Sequence, residues 1–117
     1  MTLEDFNSKY EYKLDKKYDS WTKCEFVDGK FIGDCESYVL SLLDLNLADG
    51  DITWTAINGS GHVVLVYKDR FIDCNTKAWT LIVDKPDSYG AFRRMYFPEI
   101  WLRKAKGYIL GLFKQNT

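Results

Sequence analysis

The alternation of hydrophobic and polar positions predicts two helices in the first half of the chain. Residues 3–10 form the first, with Thr2 as its N-cap and Asp5 at the third helical position in a weak capping box. Residues 34–45 form the second, because apolar residues recur every three or four positions through Val39, Leu40, Leu43 and Leu47. This spacing predicts an amphipathic, centrally buried helix that Asp34 caps.

Runs typical of β-strands follow the second helix. Residues 52–56 and 62–67 are rich in β-branched and aromatic residues, and the glycine-containing segment 58–61 between them predicts a turn. The run at 62–67 is apolar on both faces, which predicts a middle strand that is covered on both sides. Residues 70–73 predict a third strand and residues 79–83 a fourth.

The segment before the second helix and the tail are less regular. Residues 11–31 are polar and aromatic with a turn signal at Asp28-Gly29, so we expect mostly loop that lines one side of a cleft. In the tail, residues 92–97 predict a strand. Residues 98–104 predict a short helix opened by its proline, and residues 108–113 predict a closing strand.

Size and composition favour one α+β domain over residues 1–117. The chain has 117 residues, of which 46% are hydrophobic and 16% aromatic, enough for one core. Its net charge of -1 comes from 16 basic and 17 acidic residues that are spread along the chain, so we expect neither a nucleic-acid nor a membrane partner. Neither a span of roughly 20 apolar residues nor the features of a signal peptide is present, which predicts a cytoplasmic protein.

Reactive chemistry is concentrated in three cysteines and one histidine. The cysteines, at positions 24, 35 and 74, are odd in number and widely spaced, which predicts free thiols rather than a disulfide framework or a four-ligand zinc site. Cys35 begins the second predicted helix, where the helix N-terminus lowers a thiol pKa. If the strands on either side of Lys68-Asp69 pair as a hairpin, His62 and Asp73 come close. This arrangement predicts a thiol nucleophile, a general base and an orienting acid.

Three short segments also carry a family resemblance. Residues 33–40 read Gly-Asp-Cys-Glu-Ser-Tyr-Val-Leu, Gly61-His62 stands at the head of a strand, and residues 71–75 read Phe-Ile-Asp-Cys-Asn. This series resembles the transglutaminase-like cysteine peptidase superfamily, most closely the bacterial transglutaminase-like cysteine proteinases. Members of that group read Gly-Asp-Cys-Glu-Asp-Tyr-Ala-Leu, then Gly-His or Ala-His, then Leu-Asp-Asn. The resemblance covers about residues 5–78.

This resemblance implies both a fold and a reaction. The fold is a reduced papain-like, transglutaminase-like core in which the nucleophile helix packs on a small antiparallel sheet. The reaction is cleavage of an amide bond in a protein or peptide substrate through an acyl-enzyme on Cys35. His62 would serve as general base and then general acid, and Asp73 would orient its ring. No cofactor is required for this chemistry.

Two positions depart from the family pattern. Cys74 separates the predicted acid, Asp73, from Asn75, so the amide of Asn75 is a reserve orienter for the imidazole. Ser37 replaces the second acid after the nucleophile.

The resemblance and the helix terminus also suggest an oxyanion site and a metal. The backbone N–H of Cys35 is a natural oxyanion donor, and Trp21 and Tyr12 are both candidates for the second. The resemblance associates the acids that flank the nucleophile, Asp34 and Glu36, with calcium, whose oxygen ligands they could supply.

Two alternatives stay open. A transamidase would use the same residues, with an amine in place of water as the acceptor. A non-catalytic binding or structural protein on the same fold, for example a phage or mobile-element component, would suit the small size of the chain.

Overall fold

A computed structural model describes residues 1–14 and 22–95, which form two helices and two β-sheets. The helices are α1, Leu3–Lys9, and α2, Cys35–Asp44. The strands are β1, Tyr10–Tyr12; β2, Glu25–Val27; β3, Lys30–Gly33; β4, Asp51–Ile57; β5, Ser60–Tyr67; β6, Arg70–Ile72; β7, Thr80–Leu81; and β8, Arg93–Arg94. A 3₁₀ turn spans Ile82–Asp84. The α+β class is therefore confirmed.

The larger sheet is antiparallel and has the strand order β7-β6-β5-β4-β8. Its centre is β5, as its apolar character on both faces predicts. In the smaller sheet, β3 lies between β1, to which it is parallel, and β2, to which it is antiparallel. Both hairpins of the larger sheet turn through positive φ, at Asn58-Gly59 with 50° and 85° and at Lys68 with 56°. The predicted hairpin around Lys68-Asp69 is confirmed.

Both predicted helix starts are confirmed. At α1, the Thr2 hydroxyl accepts the Asp5 N–H at 3.1 Å and the Asp5 carboxylate accepts the Thr2 N–H at 3.0 Å, which completes a capping box. At α2, Asp34 Oδ1 accepts the backbone N–H of Ser37 at 3.1 Å and its hydroxyl at 3.0 Å. These two bonds cap α2 and therefore fix the position of Cys35, its first residue.

The prediction that residues 11–31 are mostly loop is met only in part, because half of their described residues lie in β1, β2 and β3. The Asp28-Gly29 turn closes a hairpin of β2 and β3, with φ values of 51° and 78°. An Asp-Gly pair permits this turn because both central residues need positive φ. Residues 15–21, with the predicted cleft residue Trp21, lie outside the described part of the chain.

The core has two layers, one on each face of β5. On one face, Val63 and Leu65 pack with α2, whose Tyr38, Val39 and Leu42 have no exposed surface. The predicted apolar face of α2 was placed one residue too far toward the C-terminus, because Leu40, Leu43 and Leu47 are only partly buried. On the other face, the buried residues are Val64, Phe71 and Tyr89.

Leu42 offers a direct test of this packing. We expect Leu42→Ala to lower the free energy of unfolding by roughly 2–5 kcal/mol, since it leaves a cavity between α2 and β5. Leu45 is the C-cap of the same helix and is 38% exposed, so Leu45→Ala should cost about 0.5 kcal/mol or less. Urea unfolding of both variants measures the difference, and equal losses would contradict the observed helix face.

The later predictions are met in part. The predicted strand at 79–83 is the two-residue β7 followed by the 3₁₀ turn. Of the predicted strand at 92–97, residues 93–94 form β8, and residues 96–97 lie outside the described part of the chain. The predicted helix at 98–104 and strand at 108–113 lie outside the described residues. In the described part of the chain, no helix combines the length and the apolar character needed to cross a membrane.

Candidate functional site

A buried histidine–aspartate pair lies on the central hairpin of the larger sheet. The β5–β6 register pairs Leu65 with Ile72, so His62 and Asp73 lie on the same face as diagonal neighbours beyond the last paired residues. His62 Nε2 lies 2.7 Å from Asp73 Oδ2, and the two residues are 6% and 0% exposed. The prediction that these two residues come close across the hairpin is confirmed.

The Asp73 carboxylate accepts hydrogen bonds at both oxygens. Oδ1 accepts the backbone N–H groups of Asn75 at 3.1 Å and Thr76 at 2.7 Å. Oδ2 accepts the Tyr89 hydroxyl at 2.6 Å in addition to its contact with His62. Burial by itself raises the pKa of Asp73, but the bonds from His62, Tyr89 and the Thr76 backbone outweigh it and hold this pKa below its ordinary value. Asp73 is therefore an anion at neutral pH.

This network predicts the position of the proton on the neutral imidazole. A carboxylate anion only accepts hydrogen bonds, so Nε2 of His62 must donate to Asp73. The neutral ring then carries its proton on Nε2, and Nδ1 is the nitrogen with a free lone pair.

Nitrogen-15 NMR tests this assignment without interference, because the chain has one histidine. In the neutral ring, we expect a protonated Nε2 and an unprotonated Nδ1. A ring that carries its proton mainly on Nδ1 would contradict the geometry. The Asp73→Asn variant is the reference, since its side-chain NH₂ can donate to Nε2 and favour the other tautomer.

Cys35 is the first residue of α2 and is half-buried. Its thiol donates to Glu36 Oε2 at 3.6 Å. Burial raises the pKa of the Cys35 thiol, the Glu36 carboxylate raises it further, and the backbone N–H of Val63 offsets only part of this. The expectation of a low pKa for this thiol is therefore wrong for the resting protein, because burial and the neighbouring Glu36 carboxylate raise it.

Cys35 approaches β5 next to the position of His62. The stabilising N–H belongs to Val63, one residue after His62. Because side chains alternate along β5, however, the Val63 side chain faces α2 and the His62 side chain faces Tyr89 on the other side of the strand. Within the described residues, no hydrogen bond joins the Cys35 thiol to the imidazole. Their approach to within about 4 Å stays a prediction.

A cleft opens beside His62. Its volume is about 300 Å³, and its lining residues are Tyr12, Ile57, Ser60, Gly61, His62, Cys74 and Asn75. Tyr12 is 54% exposed, and partial burial together with the nearby Cys35 raises the pKa of its phenol. Its hydroxyl is therefore a donor at neutral pH, which suits the predicted oxyanion role. Trp21, the other candidate donor, lies outside the described residues.

Asn75 contacts Tyr89 and Asp73 and not the imidazole, which a reserve orienter would contact. Its side-chain NH₂ donates to the Tyr89 hydroxyl at 3.3 Å, and its backbone N–H donates to Asp73. Asp73 is the residue that contacts the imidazole in this structure.

The acids proposed for calcium are engaged in protein contacts. Asp34 caps α2 through Ser37, and Glu36 accepts the Cys35 thiol. Across residues 1–14 and 22–95, no three or more His, Cys, Asp or Glu side chains are grouped as a metal site requires. Calcium stays a prediction that the proposed chemistry does not need.

Tyr89 is the site residue that the sequence analysis missed. It follows a turn in which its N–H bonds the Pro86 carbonyl, so Pro86-Asp87-Ser88 was a readable turn signal. Its place beside Asp73 depends on a contact between residues 16 positions apart, which no local pattern reveals.

Known proteins add no further assignment. The chain matches no protein-family model, no curated protein and no solved structure. Its chemistry is therefore inferred from the buried His62–Asp73 pair, from Cys35 and from the short motifs that surround them.

Proposed function

We propose that this protein is a thiol hydrolase, a peptidase or amidase, which cleaves an amide bond through an acyl-enzyme on Cys35. One observation carries the proposal. A buried histidine–carboxylate pair lies one residue from Val63, whose backbone N–H faces the Cys35 sulfur, and the histidine lines an open cleft. Such a pair costs desolvation, which a purely structural role does not require.

The proposed reaction uses the free lone pair of the imidazole. Nδ1 of His62 takes the proton of the Cys35 thiol, and the sulfur attacks the substrate carbonyl carbon. The imidazolium then gives this proton to the leaving amine, while Asp73 stabilises the positive ring. Water attacks the thioester and loses a proton to His62. The imidazolium returns this proton to the departing Cys35 sulfur, which releases the acid and regenerates the free thiol and the neutral ring.

The resting contacts show what must change for this reaction. The Cys35 thiol points at Glu36, an anion that disfavours its ionisation. Rotation about the Cα–Cβ bond moves the sulfur away from this carboxylate without moving α2. Once the sulfur lies within about 4 Å of Nδ1, the proton passes from sulfur to imidazole, so the nucleophile forms during the reaction rather than from a thiolate already present at rest.

The proposed fold is the reduced papain-like core. The nucleophile is at the N-terminus of a helix that packs on the central strand, and the base and acid come from the hairpin of the same sheet. A transamidase would share all of these features, with an amine as the acceptor for the thioester.

A binding protein without catalysis is the second candidate. Two observations favour it, namely the thiol contact with Glu36 and the raised pKa of Cys35. In that case His62, Asp73 and Tyr89 would form a buried polar network, and the cleft would hold a ligand without cleaving it.

Thiol alkylation separates the two candidates. The protein is treated briefly with iodoacetamide at pH 7, and each cysteine is quantified by mass spectrometry. Cys24 is an internal control, because it is also half-buried and burial also raises the pKa of its thiol. The hydrolase predicts labelling of Cys35 at least tenfold faster than Cys24, since in the proposed mechanism His62 takes the proton of Cys35 and not that of Cys24.

The His62→Ala variant completes the test. If the imidazole activates the thiol, this variant should label Cys35 and Cys24 at similar rates. Equal labelling of the two thiols in the wild-type protein, or selectivity that survives His62→Ala, would favour the binding protein.

A further inference from the structure

We infer that Tyr89 is a positioning residue, which holds the Asp73 carboxylate in the orientation that fixes the proton of His62 on Nε2. The effect on catalysis rests on the proposed function, but the effect on the imidazole does not. Tyr89 touches neither the thiol nor, in the proposed mechanism, the substrate. It acts through Asp73.

The contacts of Tyr89 meet the requirements of this role. Its hydroxyl donates to Asp73 Oδ2 at 2.6 Å, the same oxygen that His62 contacts at 2.7 Å. Its ring lies edge-on to the imidazole, with centroids 5.7 Å apart and an interplanar angle of 80°. Tyr89 therefore restricts both partners of the pair, the carboxylate by a hydrogen bond and the imidazole by contact.

The backbone holds Tyr89 firmly against β4. The Gly90 N–H donates to the Ala56 carbonyl at 2.7 Å, and the Asn58 N–H donates to the Ser88 carbonyl at 3.1 Å. Tyr89 lies between these two bonds and forms a β-bridge with Ile57. A side chain with both neighbours fixed in this way is a stable support for Asp73.

Neighbouring side chains also restrict the phenol. Its ring packs on Phe71 with centroids 5.8 Å apart, and Asn75 donates to its hydroxyl at 3.3 Å. Because the hydroxyl oxygen accepts from Asn75, its proton is directed to Asp73. Burial and the bond to Asp73 both raise the pKa of Tyr89, so the hydroxyl keeps this proton at neutral pH.

The hydroxyl has a defined effect on Asp73. Two backbone N–H groups hold Oδ1 of Asp73, whereas among the described residues only His62 and Tyr89 contact Oδ2. Without the Tyr89 hydroxyl, the carboxylate can rotate, and the bond to Nε2 lengthens or bends. A weaker acceptor at Nε2 reduces the preference of the neutral ring for that tautomer.

Tyr89→Phe tests the inference, because it removes one oxygen and keeps the ring. The tautomer of the single histidine is measured by nitrogen-15 NMR, and the acylation rate of the full chain is measured with p-nitrophenyl acetate. We expect a clear rise in the Nδ1–H fraction and a fall of about tenfold in acylation, from the loss of a hydrogen bond to a charged group. An unchanged His62 spectrum would overturn the inference.

Tyr38→Phe is the matched control. It removes the same atom from a fully buried tyrosine whose hydroxyl donates to Asn7 at 2.7 Å. We expect the wild-type tautomer and acylation rate from this variant. An equal response from Tyr38→Phe would show a general loss of packing and would also overturn the inference.

A double-mutant cycle tests whether Tyr89 acts through Asp73. In the Asp73→Asn background, Tyr89→Phe should cause less than a twofold further change in tautomer ratio or acylation. A full tenfold further loss would contradict this route.

If the Tyr89→Phe variant does not fold, the Asn75→Ala variant tests the inference instead. This exposed residue donates to the Tyr89 hydroxyl, and its removal should shift the tautomer in the same direction by a smaller amount. No shift would overturn the inference. If the wild-type protein is not acylated at all, the hydrolase proposal fails, while the NMR result still decides the role of Tyr89.

Discussion

Replacing Cys35 with alanine is expected to abolish amide hydrolysis and to leave the fold nearly as stable as before. The thiolate has no substitute as nucleophile, so the rate should fall on the order of 10⁴-fold or more. Stability should change by about 1 kcal/mol or less, because a single half-buried sulfur leaves little cavity and its bond to Glu36 is weak. Cys35→Ser should behave in the same way.

The measurement pairs thermal unfolding with cleavage of a peptide library. Cys24→Ala is the matched control, since it removes a second half-buried thiol that packs against the same core cluster and should keep wild-type cleavage. A Cys35→Ala protein that cleaves at the wild-type rate would assign Cys35 to packing. A large loss of stability in this variant would do the same.

Asp73→Asn should lower the rate on the order of 10³-fold while the protein still folds. The amide oxygen can still accept the backbone N–H groups of Asn75 and Thr76, which keeps the local turn. Its NH₂ group, however, faces Nε2 of His62 and the Tyr89 hydroxyl, where the wild type has an acceptor. The ring then favours a proton on Nδ1 and loses the lone pair that takes the thiol proton.

The same variant carries a stability prediction with a defined pH range. Folding lowers the pKa of Asp73 below its ordinary value of 3.8, so the folded protein favours the anion. This contribution to stability is present above about pH 4 and is lost as the pH falls through the folded pKa. Urea unfolding between pH 3 and pH 7 should show a smaller acid-dependent loss for Asp73→Asn than for the wild type. Identical pH dependence would contradict the lowered pKa.

Local sequence signals predicted much of the fold for identifiable reasons. Capping by Thr2 and Asp34, and the positive-φ turn at Asn58-Gly59, depend on residues within a few positions of each other. The smaller sheet was not predicted, because the parallel pairing of β1 with β3 joins residues about 20 positions apart. The Asp28-Gly29 hairpin had a readable signal, since the residues on both sides of it are aromatic and β-branched.

In the candidate site, too, some features followed from local sequence signals and others did not. Hairpin geometry brings His62 to Asp73, so this pair followed from strand spacing. The raised pKa of Cys35 did not, because burial and the direction of the Glu36 side chain are tertiary properties. The contact of Tyr89 with Asp73 could not be predicted either, since Tyr89 belongs to a separate segment whose backbone is bonded to β4.

The most direct test of the central claim is to trap the acyl-enzyme. The wild-type protein is mixed with p-nitrophenyl acetate at pH 7, quenched in acid before the thioester hydrolyses, and mapped by mass spectrometry. We predict an acetyl group on Cys35, formed with release of p-nitrophenol, and at least 100-fold less of it in His62→Ala. Acetylation spread over Cys24, Cys74 and the lysines, or equal acetylation of Cys35 without His62, would contradict a thiol hydrolase.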